Sequence, residues 1–256
     1  MKLYIITMVK LLVLYVFHEY NDRVNEFLTN SIFYDEDVDF LIICNDKSMN
    51  IDDKIVHSNI SVFYRDNIGY DFGGWSDGLL TNDLYKNYTH FIFVNSSVIG
   101  PYLRPEYNGK WTDIYIENLN DDIKLFGSTI NANHDYLSRH GDIKLSLAHV
   151  QSYIFSMDIT TLYYLIEKGI FSNTEYMSSF NDAIWRKEVY MSQVIRENGW
   201  NIGSLLKMYH GVDFTFKDKT VLDYEQEFYD DLMWCTHQHM WDKYDLTFIK
   251  GNRYLY

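Results

Sequence analysis

The sequence predicts an α/β fold in which a mostly parallel central sheet has helices on both faces. From Leu11 to about residue 130, apolar runs of strand length alternate with helical patterns, which is typical of a parallel sheet covered on both sides. Polar or glycine-containing segments follow several of these runs. Because ligands of such sheets bind beyond the carboxyl ends of the strands, a functional site is expected among these segments.

In the first half of the chain, each element follows from a local pattern. The predicted strands are the apolar runs Leu11–Phe17, Val38–Cys44, Ile60–Tyr64 and His90–Asn95. Asn21–Asn30 is predicted to be a helix, because Val24, Phe27 and Leu28 share one helical face. A second helix is predicted over Gly74–Tyr85.

The second half is less regular. The predicted strands are Ile123–Gly127 and Tyr153–Met157, and the predicted helices are Asp158–Lys168 and Asp182–Asn198. Asp158 is suited to cap the first helix, while Gly169 and Gly199 are suited to end the two helices. No pattern assigns the chain after Gly211.

The composition is that of a folded, acidic protein. The 256 residues are 47% hydrophobic, and no linker or repeat divides them, so a single domain is the simplest interpretation. With 22 basic and 36 acidic residues, the net charge is −14. Such a charge repels phosphate backbones, which disfavours nucleic-acid binding as the main task. The two cysteines provide no disulfide framework.

The apolar segment Leu3–Phe17 resembles a signal peptide or membrane anchor in composition. It is shorter than the roughly 20 residues that a spanning helix needs, Lys10 interrupts it, and it has no small-residue cleavage pattern. A buried strand is the favoured interpretation. The protein is therefore predicted to have no membrane span and to be cytoplasmic.

The most unusual segment is Arg65–Trp75, with the sequence RDNIGYDFGGW, which follows a predicted strand and opens a predicted helix. Its three glycines permit positive φ angles and close backbone approach, and a helix start offers N–H groups to a polar or anionic ligand. It matches neither a dinucleotide-binding glycine motif nor a phosphate loop. An ordinary strand-to-helix turn is the alternative, but the Arg, Asn and Asp side chains favour a binding site.

A second polar segment follows the predicted strand His90–Asn95. There the apolar run gives way to Asn95, Ser96 and Ser97 before a turn at Gly100-Pro101. Side chains at the carboxyl end of a central strand can hold a ligand or metal, but Asn and Ser also form caps and turns. Both interpretations stay open on the residues alone.

The last predicted helix carries a carboxylate in its apolar stripe. At about 100° per residue, four side chains fall within one narrow sector. They are Ile184, Glu188, Met191 and Ile195. Because burying an unpaired carboxylate is costly, Glu188 is expected to face a cleft or to pair with Arg186 or Lys187. In a cleft it can act as a general base, and a structural ion pair is the alternative.

Taken in this order, the three segments resemble glycosyltransferases of the GT-A type. The chain resembles in particular the rhamnan-synthesis protein F group and related glycosyltransferases of large DNA viruses. The resemblance runs over roughly residues 11–205. It rests on Asn67–Gly73, on Phe93–Pro101, and on Glu188–Ser192 together with Gly199-Trp200.

This resemblance implies a GT-A-like fold and a nucleotide-diphosphate sugar as donor, with rhamnose as a candidate sugar. The acceptor is expected to be a glycan or glycoconjugate. The single domain, residues 1–256, would have a nucleotide-sugar-binding half, about residues 1–110, and an acceptor and catalytic half, about residues 111–256. A viral member would work in the cytoplasm of its host.

The resemblance also implies roles for individual residues. In GT-A enzymes, the loops after the first three strands lie beside the nucleotide and the donor sugar. Here those places are occupied by Phe17, His18, Glu19, Tyr20, Asn45, Asp46, Arg65, Asn67, Gly69, Asp71 and Gly73. Asn95, Ser96 and Ser97 take the place of the Asp-x-Asp motif that binds Mn²⁺ or Mg²⁺ at the diphosphate. Glu188 takes the place of the general base, and Asp182 is the fallback.

The strand end departs from the GT-A pattern, because Asn95, Ser96 and Ser97 carry no carboxylate. Hard divalent cations prefer anionic oxygens, so a metal held by Asn95 and Ser97 is expected to bind weakly. The alternatives are a metal bound by neutral oxygens and the diphosphate, a ligand from Asp71 or a C-terminal histidine, a metal-independent enzyme, or an inactive relative.

The sequence thus predicts a glycosyltransferase in which Glu188 deprotonates the acceptor hydroxyl and the anomeric carbon is inverted. Two other classes stay open. The missing carboxylates favour a carbohydrate-binding or scaffold protein on the same fold. The glycine-rich loop after a strand favours a nucleotidyltransferase, although the fourth strand supplies no carboxylates for its metal.

Overall fold

A computed structural model describes residues 9–132, 147–219, 223–225 and 227–253. The first half contains β1 (Leu11–Phe17), α1 (Asp22–Asn30), β2 (Val38–Cys44), β3 (Ile60–Tyr64), α2 (Tyr70–Leu80), β4 (His90–Asn95), β5 (Val98–Ile99) and α3 (Trp111–Ile116). The second half contains β6 (Ile123–Gly127), β7 (Ile130–Asn131), β8 (His149–Val150), β9 (Ile154–Asp158) and α4 (Ile159–Glu167). It continues with α5 (Phe180–Ala183), a π-helical segment (Ile184–Val189), α6 (Tyr190–Glu197), β10 (Asn201–Ser204), α7 (Lys243–Leu246) and β11 (Ile249–Lys250).

Seven of the described strands form one sheet, in the order β10-β6-β9-β4-β1-β2-β3. Six of them run in one direction, and β9 runs against both of its neighbours. The sheet is therefore mostly parallel, which confirms the predicted α/β class and agrees with a GT-A-like fold. The strands predicted at Leu11–Phe17, Val38–Cys44, Ile60–Tyr64, His90–Asn95 and Ile123–Gly127 are all present.

Helices cover both faces of this sheet. On one face, Trp75 of α2 packs edge-on against Phe93 and Phe155, which are paired neighbours on β4 and β9. Because successive strand residues point to opposite faces, Ser156 faces the other side, where its hydroxyl donates to the carbonyl oxygen of Tyr115 in α3. The apolar side chains between these layers form one buried core.

The first strand occupies the centre of the sheet. Leu11–Phe17 pairs with β2 on one side and β4 on the other, and all of its residues are buried. This confirms the strand interpretation for that part of the apolar N-terminal segment, while Leu3–Met8 lies outside the described residues. Across the described ranges, no helix combines the length and apolar character required to traverse a bilayer.

Two helices differ from their predicted bounds. Helix α2 begins at Tyr70 rather than Gly74, since Gly69 adopts φ +75° and acts as its N-cap, and it ends at Leu80 with a 3-10 turn following. The segment predicted as a loop is thus partly the first turn of a helix. The helix predicted over Asp182–Asn198 starts at Phe180 and contains the π-helical segment Ile184–Val189.

Other elements agree more closely with their predicted bounds, and several were not predicted. Asp158 caps α4 by accepting a hydrogen bond from Thr161 N at 2.7 Å, and Gly169 and Gly199 follow their helices with positive φ, as predicted. The predicted strand Tyr153–Met157 is shifted by one residue to Ile154–Asp158. Strand β10 and the short strands were not predicted.

The C-terminal region, to which the sequence assigned no element, returns to the carboxyl ends of the sheet strands. Strand β11 pairs antiparallel with β5, with Ile249 opposite Ile99 and Lys250 opposite Val98. The backbone N–H of Gly251 donates to the carbonyl oxygen of Ser97 at 2.7 Å. This part of the chain is therefore fixed beside the end of β4.

Candidate functional site

A cleft of about 660 Å³ opens at the carboxyl edge of the sheet. The loops after β1, β3 and β4 reach this edge because those strands are parallel and in register there. Reversed β9 begins at the same edge, so the residues before it reach the cleft as well. The residues that line the cleft from the strand ends and α1 include His18, Arg23, Asn67, Asp71, Asn95, Ser96, Ser97, Gln151 and Ser152. Those from later parts of the chain include Phe180, Trp185, Glu188, Asp231, Lys250 and Arg253, and His149 from β8 joins them.

The segment Asn67–Gly73, called the glycine turn below, and the end of β4 are in direct contact. The Nδ2 of Asn95 donates to Oδ2 of Asp71 at 2.9 Å. The Oδ1 of Asn95 accepts hydrogen bonds from both the backbone N–H and the hydroxyl of Ser97. The two segments that the sequence singled out separately therefore form one polar wall.

A cluster behind this wall holds the glycine turn in place. Buried Arg65 donates to Asp77 Oδ2 at 2.7 Å, to Asn45 Oδ1 at 2.9 Å and to the carbonyl oxygen of Ile68 at 2.8 Å. Asp77 also accepts a hydrogen bond from the hydroxyl of Tyr176 at 2.7 Å. The guanidinium of Arg65 is thus used within the protein, where it ties β2, the turn and α2 together.

The glycines allow this helix to lie close to its surroundings. A Cβ at Gly73 would lie 2.2 Å from the carbonyl oxygen of Ile68, and one at Gly74 would lie 2.7 Å from Val16 Cγ2. Gly69 has φ +75° and lies against Tyr176. The atoms nearest to these three glycines belong to the protein itself. The glycines therefore determine how closely the polar wall packs against the rest of the fold.

Asp71 is the acidic group of the polar wall. The surrounding protein raises its pKa from 3.8 to about 6, because withdrawal from water outweighs the hydrogen bond from Asn95. The charge of Glu188 across the cleft raises this pKa further, while His18 and Lys250 oppose the shift. The cleft therefore disfavours an isolated negative charge at Asp71.

This raised pKa predicts a pH-dependent effect of Asp71→Asn. Between about pH 4 and 6 the folded state binds more protons than the unfolded state, so the contribution of Asp71 to stability falls as pH rises through that window. At pH 7.5 we expect Asp71→Asn to be more stable than wild type by about 1–2 kcal/mol. The gain should vanish at pH 4. Urea denaturation at both pH values measures it, with Asp66→Asn as an exposed control; equal stabilities at pH 7.5 would contradict the prediction.

Glu188 lies in the π-helical segment, on the opposite wall. Its Oε1 accepts a hydrogen bond from the backbone N–H of Ser152 at 3.0 Å and lies 3.9 Å from Nε2 of His149. The side chain of Glu188 is 14% exposed, which leaves it accessible from the cleft. Widened turns of this kind are frequent at functional sites, because they change the direction of a side chain.

His149 presents a defined face to Glu188. Its Nδ1 is 2.7 Å from the carbonyl oxygen of Leu147, and since a carbonyl oxygen can only accept, Nδ1 carries the hydrogen. Burial lowers the pKa of His149, although the charge of Glu188 opposes this shift. In the neutral ring Nε2 is an acceptor, as is the Glu188 carboxylate. A hydroxyl group has one hydrogen to donate, so it can donate to either of these two acceptors.

Of the two alternatives expected for Glu188, the structure shows the cleft, and neither Arg186 nor Lys187 pairs with this carboxylate. Lys187 is buried, and its ammonium donates to the carbonyl oxygens of Gly169 and Ile170. Arg186 is exposed. Residues one and two positions apart on a helix do not face each other, so Lys187 and Arg186 point away from Glu188.

The remaining predicted residues lie outside the cleft lining. Phe17 is buried in the core, Glu19 is exposed, and Tyr20 packs edge-on against Phe17. Half-buried Asp46 accepts hydrogen bonds from the backbone N–H and the hydroxyl of Ser48. Asp182 accepts a hydrogen bond from the hydroxyl of Ser179, the N-cap of α5. Asn45, as described above, supports Arg65.

One protein family matches most of the chain. The family is described as rhamnan synthesis protein F, and its model matches residues 40–233, about three quarters of the sequence. The matched span contains the glycine turn, the end of β4 and Glu188. The chain belongs to the rhamnan synthesis protein F family. This confirms that part of the resemblance and connects the chain with glycan biosynthesis, while the relation to viral enzymes stays a prediction.

The other comparisons add little to the family assignment. No curated protein matches this rhamnan synthesis protein F family member. A solved structure with some similarity is a cytidylyltransferase from Leptospira borgpetersenii serovar Hardjo-bovis (strain JB197), with 15% identity and a TM-score of 0.33. The similarity covers 62% of this chain and 63% of that one, which is less than two thirds of the cytidylyltransferase.

Several cleft residues of this family member were not predicted from the sequence. His149, Gln151 and Ser152 reach the cleft because β9 is reversed, and a strand's direction has no signature in its own residues. Lys250 and Arg253 belong to the region that had no assignable pattern, and they lie beyond the span matched by the rhamnan synthesis protein F model. Their positive charges were therefore missing from the sequence-based picture of the site.

Proposed function

We propose that this protein is a glycosyltransferase that moves a sugar from a nucleotide-diphosphate sugar to a hydroxyl group of a glycan acceptor. The observation that carries the proposal is the cleft itself, in which Glu188 faces the polar wall formed by Asp71 and Asn95. A volume of about 660 Å³ is of the size that small-molecule ligands occupy. The family description supports rhamnose as the transferred sugar.

In the proposed reaction, Glu188 is the general base. It takes the proton of the acceptor hydroxyl while that oxygen forms a bond to the anomeric carbon of the donor. The bond from the anomeric carbon to the phosphate oxygen breaks, and its electron pair leaves with the nucleoside diphosphate. A single in-line displacement inverts the anomeric carbon. His149 is compatible with this role, because its Nε2 lies 3.9 Å from Oε1 of Glu188 and its neutral ring leaves the carboxylate free to take up the proton.

An aromatic rim supports an acceptor position on the Glu188 side. Phe180 and Trp185 line the cleft, and both side chains are more than half exposed. Tyr70, which follows Gly69 in the glycine turn, packs against Phe180 in an edge-to-face arrangement with ring centroids 6.2 Å apart. Exposed clusters of large apolar side chains mark interaction sites, and aromatic rings offer flat faces to ligand rings. We assign this rim to the acceptor glycan.

A second candidate is a carbohydrate-binding or scaffold protein without catalysis. It is favoured by one observation, the absence of carboxylates at Asn95, Ser96 and Ser97. The two candidates differ in a donor hydrolysis assay. A glycosyltransferase is expected to release some sugar slowly to water in the absence of acceptor, whereas a binding protein releases none.

The proposal predicts that nucleotide-diphosphate sugars stabilise the folded protein. A ligand at 100 times its dissociation constant adds about 2.7 kcal/mol to the free energy of unfolding, which raises the melting temperature by about 5–10 °C for a chain of this length. A thermal-shift screen of UDP-, GDP- and dTDP-sugars, each with and without Mn²⁺, measures this effect. Free nucleosides serve as controls. The absence of a shift with every diphosphate compound, in both conditions, would contradict the proposed function.

A further inference from the structure

We propose that Arg23 and Lys250 bind the diphosphate of the donor directly, at the place where the GT-A resemblance puts a divalent metal. This inference rests on the proposed function and makes it more specific. The site it assigns is formed by α1, the turn after β4 and strand β11. The ligand class is a nucleoside diphosphate, bound through its phosphate oxygens without a metal ion.

The residues at the end of β4 do not suit a divalent metal. The amide oxygen of Asn95 already accepts two hydrogen bonds from Ser97, and its amide nitrogen is turned toward Asp71. Asp71 is the one carboxylate in this network, and it shares its Oδ2 with that amide. Hard cations prefer several anionic or free oxygens. Within the described part of the chain, no group of three or more acidic, histidine or cysteine side chains could hold a metal.

Two positively charged side chains, those of Arg23 and Lys250, lie beside the end of β4. Nε of Arg23 donates to the carbonyl oxygen of Ser96 at 3.1 Å, and both Arg23 and Lys250 line the cleft. Gly251 connects them: its backbone N–H donates to Ser97 O at 2.7 Å, and a Cβ there would lie 3.1 Å from Cδ of Arg23. The pairing of β11 with β5 fixes the backbone of Lys250. Both side chains therefore project from anchored backbone.

Among the residues that the structure describes, these two charges have no ion-pair partner. Among the described residues, neither Arg23 nor Lys250 has a carboxylate within 4.0 Å, whereas nearby Arg253 pairs with Asp231. This is notable in a chain of net charge −14. The charge of Lys250 acts on groups in the cleft, since it opposes the rise in the pKa of Asp71 and adds to the lowering of the pKa of His149.

The two side chains match the chemistry of a diphosphate. The planar guanidinium of Arg23 can donate to two phosphate oxygens, while the ammonium of Lys250 acts as a compact point charge. As the bond to the anomeric carbon breaks, negative charge grows on the departing phosphate oxygen. Positive groups that are already in place stabilise this charge more strongly in the transition state than in the ground state.

Titration calorimetry with UDP, GDP and dTDP tests the proposal on the full chain. We expect at least one of them to bind in EDTA, and Mn²⁺ to tighten binding by less than about 3-fold. Lys250→Met and Arg23→Gln should each weaken binding about 10-fold or more, since each removes a charged hydrogen-bonding partner. Lys243→Met is the matched control: this lysine lies over the rings of Tyr102 and Tyr244, outside the cleft, and its loss should leave affinity unchanged.

The outcomes separate this inference from the proposed function. Binding that is lost in EDTA and restored by Mn²⁺ overturns the direct role of the cations but keeps the glycosyltransferase. Unchanged affinity of Lys250→Met and Arg23→Gln does the same. No binding of any nucleoside diphosphate to wild type, in EDTA or Mn²⁺, overturns both. Melting temperatures of the variants within about 2 °C of wild type confirm that lost affinity does not reflect unfolding.

Discussion

Replacement of Glu188 by glutamine is expected to lower the turnover number about 10²–10⁴-fold while changing donor affinity by less than about 3-fold. The glutamine amide has nearly the same shape, and its oxygen can still accept the hydrogen bond from Ser152 N. It cannot take up the proton of the acceptor hydroxyl. The loss should therefore appear in the chemical step, as measured by single-turnover kinetics with saturating donor and acceptor.

Glu197→Gln provides the control for this substitution. Glu197 ends α6, is exposed, and exchanges a hydrogen bond only with Gln193 among the contacts described for its side chain. It should retain wild-type turnover. If Glu188→Gln also turned over at a near-normal rate, Glu188 would not be the base. Asp182 would then be tested by Asp182→Asn, although its carboxylate is engaged by Ser179 and lies outside the cleft lining.

Arg65→Met is expected to cause the largest loss of stability, about 3 kcal/mol or more in the free energy of unfolding. The side chain of Arg65 is 6% exposed, and methionine would remove all three of its hydrogen bonds. Asp77 would be left as a mostly buried carboxylate with the hydroxyl of Tyr176 as its remaining described partner. Urea denaturation at pH 7 measures the change as a lower midpoint at constant slope.

Lys86→Met is the matched control for the loss of an ion pair. Lys86 pairs with Asp83 at 2.7 Å, but both side chains are at least half exposed, so we expect a change below about 0.5 kcal/mol. A loss in Arg65→Met as small as that of Lys86→Met would show that the cluster behind the glycine turn does not stabilise the fold. A large loss would explain why an arginine occurs in this segment without reaching the cleft.

The sequence was most informative where a pattern is local. The buried strands of the sheet appear as continuous apolar runs, and a run such as Leu11–Phe17 is apolar because both of its faces are covered. The glycine segment and the Asn-Ser-Ser segment could be placed at one edge because parallel strands end there. Their contact, through Asp71 and Asn95, follows from that topology.

Other features depend on information that no local pattern contains. The pairing of β11 with β5, which fixes Lys250 beside the end of β4, joins two-residue strands about 150 residues apart. His149 lies beside Glu188 because β8 leads into reversed β9. No residue of the Glu188 helix predicts that contact. Arg65 was read as a ligand-binding cation because sequence does not show whether a charge is already paired inside the protein.

The direction of the Glu188 side chain depends on the number of residues in the π-helical segment Ile184–Val189 as well as on the residue type at position 188. In an α-helix each residue turns the chain by about 100°, so deleting one residue and restoring regular α-geometry would swing the carboxylate away from the cleft by roughly that angle. We therefore expect a homologue with one residue fewer in this segment to lose the proposed activity, although it keeps the glutamate. An alignment that compares only the residue type at the position of Glu188 would then misjudge which family members have the proposed activity. The number of residues between Phe180 and Tyr190 is the more discriminating criterion.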